Sequence, residues 1–131
     1  HMTELIQKWL ALAENDFEAA EILLEKKKLL LAAFHSQQSL EKFFKMYYLF
    51  ELNEQPPYIH NLVDLAQRCG LFDQLTETQK TLLDKLNPFY IKARYPSYQK
   101  AVSSSLDQSK TEVLVAETGD LIRWIKDKMN L

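Results

Sequence analysis

The sequence predicts an all-α protein: an up-and-down bundle of four long helices with one additional short helix. Three observations carry this. Apolar residues recur at helical spacing over long stretches. Glycine and proline are scarce, at 2 and 4 of 131 residues, too few turn formers for a β-sandwich. The breaks between periodic stretches coincide with helix-stop chemistry, as at Asn53-Glu54-Gln55-Pro56-Pro57.

The first helix is expected from about Thr3 to Lys27, with Leu5, Trp9, Leu12, Ala13, Ala20, Leu23 and Leu24 on one stripe. Asp16 interrupts that stripe, and a carboxylate there needs a cation or several donors. The lysines at 26–28 suit the negative end of this helix. The second helix is expected from about Leu30 to Leu52. At 100° per residue, Ala33, Leu40, Phe43, Phe44 and Tyr47 fall on its core side. His35, Gln38, Lys42 and Lys45 fall opposite, and Gln37 and Glu41 sit on the boundary. This polar side reads either as a ligand surface or as an ordinary solvated bundle face.

A short third helix is expected from His60-Asn61 to Gly70, with Asn61 and Asp64 at its N-terminus. The fourth starts at Thr76 with the Thr76/Gln79 capping box. It should kink near Asp84 because of Pro88, and end at Pro96. A polar loop over 97–105 leads to the last helix, which starts between Ser105 and Ser109 and ends near Met129.

Composition narrows function. A 47% hydrophobic chain of this length suffices for one domain over 1–131, with His1 read as a tag remnant. A net charge of −2 is unlike a general nucleic-acid binder, so any such role needs a local patch. The lone Cys69 excludes an intrachain disulfide and a cysteine zinc site, and fits a reducing cytoplasm. No apolar run is long enough to span a membrane. Neither a P-loop nor a Rossmann fingerprint occurs, and no cofactor or metal is expected.

Several segments in order resemble HEPN domains, the higher eukaryote and prokaryote nucleotide-binding domains: Trp9, Ala13, Asp16-Phe17 and Ala20; Ala33-Phe34-His35, Gln37-Gln38, Glu41-Lys42 and Lys45; His60-Asn61-Leu62 with Leu65; and Tyr90-Ile91, then Arg94-Tyr95-Pro96. The resemblance implies a homodimeric bundle working near nucleotides or RNA, often as the partner of a minimal nucleotidyltransferase in a toxin–antitoxin pair. Ribonuclease members carry Arg, four to six residues, then His. No histidine follows Arg94 within that window.

Arg94 offers a planar donor fork for phosphate, and Tyr90, Tyr95 and Tyr98 offer stacking faces near it in sequence. Arg94 could instead pair with Asp16 or Glu41. His35 and His60 are the acid–base candidates and, with Arg94, the catalytic ones. The ligand-binding set expected from sequence is Asp16, His35, Gln38, Lys42, Tyr90, Arg94 and Tyr95. The alternatives are a metal-independent ribonuclease toxin with a displaced histidine and a purely structural dimerisation module.

Overall fold

The computed structural model describes residues 2–92, 95–96 and 106–131. These residues form helices and no strand. The helices are α1 (Met2–Glu25), α2 (Leu29–Leu52), α3 (Leu62–Arg68), α4 (Glu77–Leu86), the single turn α5 (Phe89–Lys92) and α6 (Gln108–Lys128). A 3-10 turn at Phe72–Gln74 links α3 to α4.

Local chemistry sets the ends. Asn61 caps α3 by accepting from the Asp64 amide at 3.0 Å. Thr76 and Gln79 exchange both bonds of the capping box at α4, and Asp107 accepts from the Lys110 amide to open α6. Each cap contributes about 1 kcal/mol. Lys27 and Asn53 take left-handed conformations, with φ of 62° and 56°, to end α1 and α2. The turn between α1 and α2 is therefore only a few residues long, which lays them side by side.

α2 touches each of the other five α-helices, and that changes the reading of its faces. Leu40, Phe43, Phe44 and Met46 are fully buried, but so are Ser36, Gln37 and Ser39, and Glu41 and Lys45 are nearly so. The solvated-face reading fails for Lys45 alone, since His35, Gln38 and Lys42 keep intermediate exposure; the other buried polar residues lie where neighbouring helices pack. Small residues allow this: Ser39 donates from Oγ to the Ala13 carbonyl across the α1–α2 seam at 2.7 Å. The α1 stripe is only partly buried. Ala13 and Ala20 are inside, whereas Leu5 and Leu12 remain exposed.

The fourth expected helix is broken rather than kinked. α4 stops at Leu86 and helix resumes at Phe89. Pro88 lacks an amide donor and clashes with the preceding turn, while the Asn87 side chain accepts from the Leu62 amide at 2.7 Å. Pro96, expected to end this helix, is itself helical. On α6, Leu114, Leu121, Ile122, Ile125 and Met129 are buried as their spacing predicts. Gly119 has a packing reason: a Cβ there would come within 3.0 Å of the Phe17 ring.

Cys69 belongs to the core. Burial pushes its thiol from 9.0 up to about 11. Between those values the folded chain holds a proton that the unfolded chain releases. Stability should therefore fall as pH rises from about 9 through about 11, by roughly 2–3 kcal/mol. Tyr47, raised above 10.0 by burial and by Glu51, acts in the same direction at the upper end. Urea unfolding across this range should show a shallower decline in Cys69→Ala; an equally steep one would contradict the assignment.

Candidate functional site: a buried ionic network on α2

Two carboxylates organise the polar side of α2. Asp16, on α1, accepts from His35 Nδ1 at 2.9 Å and from Lys42 Nζ. This answers the conflict posed by an acid on the α1 stripe: the carboxylate is half-buried but doubly partnered. Glu41, on α2, accepts from Lys45 Nζ at 3.1 Å, and His60 Nδ1 lies 3.1 and 3.2 Å from its two oxygens. Carboxylate oxygens only accept, so each histidine carries a hydrogen on Nδ1.

Two glutamines join these clusters. Gln38 Oε1 accepts from Lys42 at 3.5 Å, and Gln38 Nε2 donates to Gln37 Oε1 at 2.7 Å. Gln37 Nε2 donates to Glu41 at 3.3 Å and to the His60 carbonyl at 3.2 Å. The result is one hydrogen-bonded chain from Asp16 to His60. Among the described residues, no buried side-chain polar atom lacks a partner.

His60 is placed from outside α2. Asn61 and Asn87 are tied by a 3.4 Å side-chain bond, and Asn87 holds the Leu62 amide. This clamp brings the segment before α3 against the α4–α5 break. Tyr90, in the turn after that break, stacks on His60 with ring centroids 3.9 Å apart and planes 16° apart. The Tyr58 ring meets His60 edge-on at 6.1 Å and is almost wholly exposed, at 96%. An ionic network thus ends in the stacked His60–Tyr90 pair, with the exposed Tyr58 ring edge-on to it.

Of the residues singled out from sequence, Asp16, His35, Gln38 and Lys42 form one cluster, and Tyr90 stands at the other end of the network. Tyr95 is exposed. Arg94, with Ala93, Tyr98 and the 97–105 segment, lies outside the described residues. Its pairing with Asp16 or Glu41 lies outside them with it. Lys45 departs from its expected place: it joins Glu41 four residues earlier on the helix, not His35, Gln38 and Lys42. Gln37, Glu41, Lys45 and Tyr58 were absent from the expected binding set. The i, i+4 spacings of Gln37 to Glu41 and Glu41 to Lys45 were the available signal. The meeting of Glu41 with His60 had none.

Two lysines balance two carboxylates in the network. Among the described residues no three of His, Cys, Asp and Glu are grouped as metal ligands, and no helix is long and apolar enough to cross a membrane.

A helical domain with an ionic network on its central helix narrows the class without naming a family. The HEPN domain profile matches residues 6–128; the chain belongs to the HEPN family. Its fold is similar to the crystal structure of TT1696 from Thermus thermophilus. The TM-score is 0.77 at 20% identity, covering 94% of this chain and 97% of that one. No curated protein matches it.

Proposed function

We propose that this HEPN protein is a nucleotide- or RNA-binding domain: a single cytoplasmic up-and-down bundle that acts as a homodimer and as the partner of a minimal nucleotidyltransferase in a toxin–antitoxin-type system. The observation that carries the binding reading is the stacked His60–Tyr90 pair, fixed at the end of the Glu41 network. Rigid flat rings beside cations suit single-stranded nucleic acid, because every base has a π-face and stacking tolerates sequence. The network supplies rigidity: Glu41 orients His60, and the Asn61–Asn87 clamp orients both rings.

Lys42 and Lys45 are already committed to carboxylates, so phosphate attraction is modest and affinity rests on stacking. Fluorescence anisotropy with labelled single-stranded RNA tests this. Saturable binding, weakly dependent on salt, without cutting of the RNA in chelator, is expected. A flat titration would refute the binding reading. Cutting in chelator would favour a ribonuclease that uses the Glu41–His60 pair.

A further inference from the structure

A groove of about 510 Å³ opens beside the Glu41 cluster, between the start of α1, the second half of α2 and the loop before α3. Its volume suits a small ligand. Trp9, Pro56, Pro57 and Tyr58 give it flat apolar walls, and Lys45 is its one cationic lining residue among those described. Lys45 is only 7% exposed. Its ammonium spends one donor on Glu41 Oε2 at 3.1 Å and lies 5.8 Å from the Tyr58 ring centre. An ammonium has three donors and no acceptor.

We propose that this groove takes one nucleobase of the bound nucleotide or RNA and selects keto bases over amino bases; this rests on the binding function proposed above. The argument is complementarity. A base fits flat against Tyr58 and the proline and tryptophan walls. Its edge then meets a donor-only group in a nearly dry setting. Uracil O4 or guanine O6 accepts there. The amino groups of cytosine and adenine set donor against donor at that position, so those bases meet the ammonium only through a ring nitrogen or cytosine O2 and with the amino group turned away. Tyr58 lies between this groove and the His60–Tyr90 pair, so a base here would neighbour one stacked there.

The test is anisotropy with labelled homopolymers of uridine, inosine, cytidine and adenosine, inosine supplying the guanine-type keto edge. Uridine and inosine strands should bind about tenfold tighter than cytidine and adenosine strands. Lys45→Met keeps a similar body in the groove and leaves Glu41 with His60 and Gln37. It should bring the four affinities within about twofold of each other, since the discriminating donor is gone. Tyr58→Ala changes a side chain with almost no packing, and should weaken all four strands. Equal wild-type affinities would overturn the proposal while sparing the binding function, and so would a folded Lys45→Met that keeps the preference. If Lys45→Met does not fold, the wild-type ranking and an effect of Tyr58→Ala decide: a keto preference with uniform weakening supports the groove, and unchanged binding in Tyr58→Ala overturns it. No binding to any strand would remove the binding function itself.

Discussion

Glu41→Ala should destabilise the protein by about 3–5 kcal/mol, the cost of leaving a buried cation without its partner. Glu41 and Lys45 are both nearly buried. Removing the carboxylate strands the Lys45 ammonium and frees one hydrogen bond of Gln37 and the Nδ1 hydrogen of His60. Several groups thus lose a partner at once. Urea denaturation reads the effect, and a second variant shows its cause. Adding Lys45→Met to Glu41→Ala should recover much of the loss, because an apolar side chain needs no counter-charge. A loss below about 1 kcal/mol, the range of exposed ion pairs, would mean that water reaches this pair. Failure of Lys45→Met to recover stability would mean that the cost lies with Gln37 or His60.

The helical architecture was legible because its signals are local. Asn61, Thr76 with Gln79, and the Asn53 stop depend on residues within one turn, and each appears where its pattern placed it. The buried positions of α6 followed from period alone. The polar side of α2 misled for a physical reason. Periodicity assigns faces relative to one core, whereas α2 packs against five other helices, so the boundary residues Gln37 and Glu41 and, opposite the core side, Lys45 became buried too, while His35, Gln38 and Lys42 stayed partly exposed. The break at Pro88 was misplaced because Asn87 uses its side chain on Leu62, 25 residues away. The site was half legible. Asp16 on an apolar stripe demanded a cation, and the cations lay on the next helix. His60 meeting Glu41, and Tyr90 stacking on His60, depend on the Asn61–Asn87 clamp, which no spacing encodes.

That ring pair bears the functional argument, and its removal is expected to have the largest effect on binding. Tyr90 is half-buried on a single helical turn, with one face against His60. Alanine there removes a stacking surface and lets the imidazole tilt. A base–aromatic stack is worth about 1–3 kcal/mol, so affinity should fall roughly five- to 150-fold. Phenylalanine keeps the ring and should keep most of the affinity, which separates stacking from any role of the hydroxyl. The most direct measurement is therefore the ratio of single-stranded RNA dissociation constants for Tyr90→Ala and the parent, both confirmed folded by circular dichroism. A ratio of about five or more, with Tyr90→Phe near the parent, is predicted on the stacking energy above. RNA bound equally well by folded Tyr90→Ala would contradict the account and move the binding surface away from the end of the α2 network.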